Sequence, residues 1–248
     1  MKPRSRFAEA RVGIRVVAGM RAALAAGALV LASGCATGPN ANPADPLEPL
    51  NRQVYRFNNA VDDAVLKPVA TVYVTVLPSP VRTGVNNFFG NLSDVWSFVN
   101  SVAQLKLQDS AQTFMRVNVN TVFGLGGILD VATELGIDRH SEDFGQTLGR
   151  WGVPPGPYVV LPILGPSTLR DTVALPVDLR GDLVSGVSDI SVRNSMYAVR
   201  LVDIRANLLR VGQLLDDAAL DRYTFIRDAF LQRRRYDVHD GDLPDEDK

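Results

Sequence analysis

Leu47, Leu50, Val54, Phe57, Val61 and Val65 recur three and four residues apart, which sets them along one face of a helix. Asp45, Pro46 and Glu48 precede that face in the order of an N-cap, a first-turn proline and a capping-box acid, and Lys67-Pro68 is where the helix is expected to end. The stretch that follows, VATVYVTVL from Val69 to Leu77, is rich in β-branched residues; propensity alone reads strand, and local signals leave strand and short helix both open. Val81, Val85, Phe88 and Phe89 predict a helix over Val81 to Asn91, and Ser93-Asp94 opens another whose Val95, Trp96, Val99 and Val102 suit a packed face. A helix capped at Asp109-Ser110 runs to about Phe123, and GLGGILD, Gly124 to Asp130, reads as a tight helix-to-helix turn. Tyr197, Leu201, Ile204, Leu208 and Val211 form a further helical face, and Leu220, Tyr223, Ile226 and Phe230 a last one that ends in Gln232-Arg233-Arg234-Arg235.

Between these helices lies WGVPPGPYVVLPILGPSTLRD, Trp151 to Asp171. It is too apolar for an ordinary loop, yet Pro154, Pro155, Pro157, Pro162 and Pro166 remove donors that a helix or central strand needs. The expectation is rigid non-helical backbone that returns to helix near Ser167-Thr168. Its setting is either an extended connector packed over the helices or the edge of a cavity.

Composition changes the picture mainly at the N-terminus. The chain has 248 residues, 46% hydrophobic and 21% charged, enough for one globular domain. Residues 1–34 hold six basic side chains and one acid, so the rest carries 20 basic against 26 acidic groups, a balance that argues against a nucleic-acid partner. Ala22 to Ala32, AALAAGALVLA, is an apolar run far short of the roughly 20 residues that span a bilayer, and Ser33-Gly34-Cys35 follows it. This resembles a lipoprotein signal (1–34), with Cys35 the acylated residue and Met20 an alternative start. The absence of Asp at Ala36 favours the outer membrane. A tether, 35–44, follows; its nine residues from Ala36 to Ala44 reach at most about 30 Å. The expected domain covers 45–236, and an acidic tail, 237–248, is expected to be disordered.

The search for chemistry returns little. One cysteine and two histidines, His140 and His239, make no metal-ligand cluster, and no cofactor motif is found: the glycines of GLGGILD lack the spacing of a phosphate loop. No GxSxG elbow occurs, Ser141 beside His140 is poorly placed for catalysis, and Glu142-Asp143 reads as a solvated helix start. No enzyme is expected.

DPLEPLNRQVYRFN (Asp45 to Asn58), NNFFGNL (Asn86 to Leu92), EDFGQTLGRWGVPPGPYVVLPILGPSTLRD (Glu142 to Asp171) and FLQRRRYD (Phe230 to Asp237) resemble the MlaA family, also called VacJ. The likeness spans about Asp45 to Asp237 and departs mainly over Val173 to Asn194. It implies an all-α fold: a ring-like arrangement of amphipathic helices around a central channel, with Pro/Gly-rich connectors, and VATVYVTVL helical against its propensity. It also implies removal of mislocalised phospholipid from the outer leaflet of the outer membrane, passage to a soluble periplasmic carrier of the MlaC type, and association with a trimeric porin. Trp151, Val153, Tyr158, Val159, Leu161, Ile163 and Leu164 are then candidates for channel or membrane contact. Arg233, Arg234 and Arg235 are either a solvated helix cap or contacts for lipid headgroups. The alternative is a lipid-anchored adaptor that binds porins without moving lipid.

Overall fold

The first helix does not stop at Pro68. In the computed structural model, which describes residues 42–218 and 220–242, α1 (Glu48–Val61) passes through one π-helical turn, Asp62–Leu66, into α2 (Lys67–Val76). The Lys67 N–H bonds to the Asp62 carbonyl, five residues back, and the widened turn makes room for the proline ring and its missing donor. VATVYVTVL is therefore helical, with the Thr71 and Thr75 hydroxyls bonded back to the carbonyls of Lys67 and Thr71. The expected start also differs. Pro49, not Pro46, lies in the first turn, and Leu47 occupies the cap without a side-chain bond. The Asp45 carboxylate is instead fully buried, accepting from Asn51 at 2.8 Å and from the Tyr223 hydroxyl.

The two helices expected over Val81 to Val102 are one, α3 (Ser79–Ala103), followed by α4 (Leu107–Val122). Asp109 and Ser110 sit inside the first turn of α4, where the Ser110 hydroxyl bonds back to the Lys106 carbonyl. GLGGILD is a tight turn: Leu125, Gly126 and Gly127 take positive φ, and Asp130 caps the short α5 (Val131–Glu134). Asp143 caps α6 (Phe144–Arg150). The proline-rich segment folds as a hairpin, β1 (Tyr158–Leu161) antiparallel to β2 (Gly165–Thr168), with Tyr158 opposite Thr168. Thr168 then caps α7 (Leu169–Gly181), so helix resumes where expected. Last come α8 (Ile190–Asn207), α9 (Leu209–Ala218) and α10 (Arg222–His239). The acidic tail begins later than expected. Helix continues to His239, Val238 is buried, and Asp240 accepts from the Lys106 ammonium.

Contacts close a circuit. Helix α1 lies on β1, β2 on α7, α7 on α6, α6 on α3, α3 on α8, and α8 on α2, which continues α1. Two asparagines seven residues apart, hence on one helical face, fix α1 to the hairpin. Asn51 donates to the Tyr158 carbonyl (3.0 Å) and accepts from the Val160 N–H (2.9 Å), while Asn58 does the same for Leu161 (2.9 Å) and Ile163 (2.7 Å). Side-chain amides thereby satisfy the free edge of β1.

The faces of these helices are reversed from the expected sense. On α3 it is Asp94, Ser97, Asn100 and Ser101 that are buried, while Val99 and Val102 are exposed. On α4, Ser110, Thr113, Arg116 and Asn120 point in, and Phe114, Met115 and Val122 out. Leu201, Ile204, Leu208 and Val211 are likewise exposed, with Asp203 and Ala206 buried beneath. Glu142, expected to be solvated, is buried between Lys106 (2.8 Å) and Gln104 (2.9 Å). A small apolar core remains at Tyr158, Val160 and Tyr223, backed by Val54 and Phe230. No helix among the described residues is long and apolar enough to cross a membrane.

Arg116 is the most enclosed cation among the described residues, with both Asp130 oxygens at 2.9 and 3.0 Å and Asp94 at 3.9 Å. Arg116→Ala should cost about 3–5 kcal/mol by leaving buried carboxylates unpaired, whereas Lys67→Ala, which removes an exposed pair with Asp63, should cost under about 1 kcal/mol. Unfolding in mild detergent measures both. Burial works against ionisation of Asp130, but bonds from Thr133 and Asn120 and the Arg116 charge hold its carboxyl down at about 2, from 3.8. A depressed acid contributes stability that is present above its unfolded value and lost as pH falls through the folded one. Asp130→Asn should therefore remove part of the acid loss between about pH 4 and 2, read from the same unfolding curves.

Candidate functional site

Residues from four elements build a cleft where the hairpin meets α6, α7 and α10. Its volume is about 290 Å³. Leu161, Leu164, Leu175 and Phe230 give it an apolar side, and Asp143, Asp171, Asp178 and Arg234 a charged one. Arg234 is the keystone of the charged side: its Nη atoms reach both Asp143 oxygens at 2.6 Å and its Nε reaches Asp171 at 2.8 Å. Burial disfavours both charges, yet the Arg234 guanidinium holds Asp143 below the usual carboxylate range, and the two carboxylates hold Arg234 firmly protonated. Burial pushes the Asp178 carboxyl up, against bonds from the Trp96 indole and the Phe144 N–H, both at 2.8 Å. Gly145 lets α6 approach this cluster, since a Cβ there would lie 2.5 Å from Asp171 Oδ1 and 2.6 Å from Arg234 Nη2.

A larger groove, about 890 Å³, lies between α3 and α8 and is almost wholly apolar, with Val81, Val85, Phe88 and Met196 among its walls. Around it and over the outer helical faces the exposed apolar residues continue, from Val69, Val72 and Val76 on α2 to Leu105 and Leu107 at the α3–α4 turn. A patch of this extent marks an interaction surface.

The expected site residues divide among these places. Leu161 and Leu164 line the cleft, and Ile163 and Leu164 are exposed at the hairpin tip. Ile163 holds a φ of 67°, unusual for a β-branched residue. The Asn58 bond to its N–H fixes it there. Trp151 and Val153 are exposed, with the Trp151 indole bonded to the Ala103 carbonyl at 3.1 Å. Val159 is half-buried. Tyr158 is 1% exposed and belongs to the core, stacked edge-on near Tyr223 and Phe230. Of the arginines, Arg233 is exposed, Arg234 is engaged by two carboxylates and so withdrawn from headgroup contact, and Arg235 lines a shallow cavity with Arg170 and Leu231. Cys35 lies outside the described residues. Sequence reasoning missed Asp171 and Asp178, although both sit at helical spacing on α7.

The His140 ring faces Gln112 at 2.6 Å and Asp109 at 3.7 Å. Asp109, Glu142 and Asp240 bring carboxylate oxygens within 4.8 Å of one another, but the Lys106 ammonium bonds to two of them and supplies the counter-charge.

Polar interior, apolar exterior and an amphipathic cleft define a helical protein whose outer faces suit an apolar surround. The chain belongs to the MlaA lipoprotein family, whose model matches residues 43–237. It is 34% identical over 233 residues to the intermembrane phospholipid transport system lipoprotein MlaA of Escherichia coli (strain K12), covering 89% of each chain. To the protein of the same description from Haemophilus influenzae it is 36% identical over 208 residues, 80% of this chain and 81% of the relative. A solved structure concerned with the "structural basis for maintenance of bacterial outer membrane lipid asymmetry" superposes with a TM-score of 0.69 at 34% identity, covering 78% of this chain and 98% of that one.

Gly145→Val should open the Arg234 clamp, because a side chain there meets two of its members. The expected result is a loss of about 2–4 kcal/mol and faster proteolysis of α10, followed by limited digestion; Arg233→Gln should leave both unchanged.

Proposed function

We propose that the chain is an outer-membrane lipoprotein, anchored through Cys35 on the periplasmic side, that takes mislocalised phospholipid from the outer leaflet and passes it to a soluble periplasmic carrier. The observation that carries this reading is the inversion along α3, α4 and α8, where polar side chains such as Ser97, Arg116 and Asp203 are buried and apolar ones such as Val102, Met115 and Leu201 exposed. Such a shell suits hydrocarbon, and the names of its relatives point to phospholipid transport. A path for lipid must be apolar toward the chains and polar toward the headgroup, since exposing two acyl chains of ~16 carbons to water costs on the order of 25 kcal/mol. The cleft beside the hairpin has both characters, with Leu161 and Leu164 opposite the Asp143–Arg234–Asp171 cluster.

Within this reading each side chain acts by position. The Asn51 and Asn58 amides hold the hairpin, Arg234 and its carboxylates keep one wall of the path charged without offering a free cation, and the exposed apolar residues keep the ring at the bilayer. Downhill movement of lipid along such a wall needs no bond to be made or broken. Trp151, Val153, Ile163 and Leu164 are the members of the hairpin segment placed to touch lipid, and Arg233 to touch headgroups. A trimeric porin is the partner that would hold the ring in place.

Deletion in the native cell should raise surface-exposed phospholipid and sensitise the cell to detergent with chelator. An intact barrier with unchanged surface phospholipid sinks the transfer reading and favours a porin adaptor. Cys35→Ser should lower the share of the protein recovered with the membrane after a high-salt or carbonate wash on cell fractionation, because an apolar shell without acyl chains anchors less firmly than the two signals together.

A further inference from the structure

We propose that α8 carries a two-lobed seat for the acyl chains of one diacyl phospholipid, with the Arg82 guanidinium placed to meet its phosphate. The proposal rests on the lipid-transfer reading and locates its ligand. The larger lobe is the 890 Å³ groove between α3 and α8, walled by Val81, Val85 and Phe88. A second lobe of about 390 Å³ lies between α2 and α8, walled by Val69, Val72 and Val76. Val199 lines both. Two apolar lobes that part around one side chain are the shape that two chains on one glycerol require. Their polar lining is slight: Ser191 and Ser195 in one, Tyr73 in the other, whose hydroxyl is already given to Asp203 at 2.9 Å. Walls with so few polar groups suit hydrocarbon and offer little to a polar peptide backbone.

Charge beside the lobes identifies the rest of the ligand. Arg82 donates through Nε to the Leu77 carbonyl at 3.2 Å. Leu77 lines the smaller lobe, and the neighbours of Arg82 in the chain, Pro80 and Val81, line the larger. One of the five guanidinium N–H groups is thus used, and among the described residues no carboxylate pairs with Arg82. Arg200 and Arg205 on α8 are, by contrast, held by Asp182 and Asp62 at 2.9 and 2.6 Å. A half-buried guanidinium with open donors, bonded to a wall residue of one lobe and next in the chain to a wall residue of the other, complements a phosphodiester. The lobes are preformed: Asp203 on α8 accepts from Tyr73 on α2 and from Asn86 on α3 (3.1 Å), which sets the spacing of all three helices.

The test uses the purified full-length protein in mild detergent and phosphatidylglycerol carrying a diazirine in one acyl chain, with adducts mapped by mass spectrometry. Labels are expected on both lobes, around Val81 to Phe88 and at Val69 to Val76. Val199→Asp should lower both sets together, and Val199→Phe, which keeps the position apolar but fills the junction, should do the same if the first variant folds poorly. A diacylglycerol of the same chains should label less than the phospholipid; Arg82→Gln should abolish that preference and Arg82→Lys retain it. Labels confined to the cleft at Leu161 and Leu175, equal labelling by the two lipids, or a protein adduct in place of lipid at Val199 in cells would each overturn the seat while leaving lipid transfer standing. Labelled lobes with an intact barrier in the deletion strain would do the reverse.

Discussion

Buried polar and charged side chains, bonded to one another across helix interfaces, are what hold this circuit of helices closed. Lys106 with Glu142, Arg227 with Asp45 and Arg205 with Asp62 each join segments distant in sequence, and Arg116 with Asp130 ties α4 to the turn that follows it. In a water-soluble protein, replacing such pairs by packed hydrocarbon is often neutral or favourable. Against lipid the comparison changes, because moving an apolar side chain from lipid into the protein gains almost nothing, while a polar group left facing hydrocarbon is costly. Polar pairing inside and hydrocarbon outside is then the lower-energy division of the same residues. The hairpin obeys the same constraint: its edge is closed by Asn51 and Asn58, so its backbone groups on that side need no water.

That division explains how much of the molecule was legible in its sequence. Helical periodicity was read correctly over α1, α3, α4, α8 and α10, because the 3.6-residue period is the same whichever face turns inward. The direction holds on α10, where Tyr223 and Phe230 do meet the core, but not on the second half of α3 or on α8, whose apolar residues face outward. Asp94, Ser97 and Ser101 recur at helical spacing just as Val95, Val99 and Val102 do, and nothing local says which set meets protein. Pro68 misled through a general rule that a single π turn evades. The hairpin was foreseen only as rigid non-helical backbone; its strand pairing depends on asparagines about a hundred residues away. Among the candidate residues, Tyr158 meets Tyr223 and Phe230 of α10, and Arg234 of α10 meets Asp143 and Asp171, partners far along the chain that no local pattern reveals.

Function follows from the same geometry. A ring in which no helix among the described residues is long and apolar enough to cross a membrane, but whose exterior is apolar, is suited to lie within one side of a bilayer. Its interior pairs are fixed dipoles and charges that need not rearrange as a lipid passes, and its grooves are walled by residues already exposed. The rigid parts are polar and the lipid-facing parts are interchangeable hydrocarbon, so substrate selectivity would reside in a few placed charges such as Arg82 rather than in the apolar walls.

The central claim, that the exterior contacts hydrocarbon, is most directly tested by depth. A single fluorophore placed in turn at Val76, Val122, Val173 and Leu208, and at Arg56 and Asp242 as references, is read in vesicles containing phospholipid brominated along its acyl chains. The account predicts quenching at the four apolar positions and little at Arg56 and Asp242. Equal, weak quenching at all six, with the apolar positions open to an aqueous quencher, would contradict it.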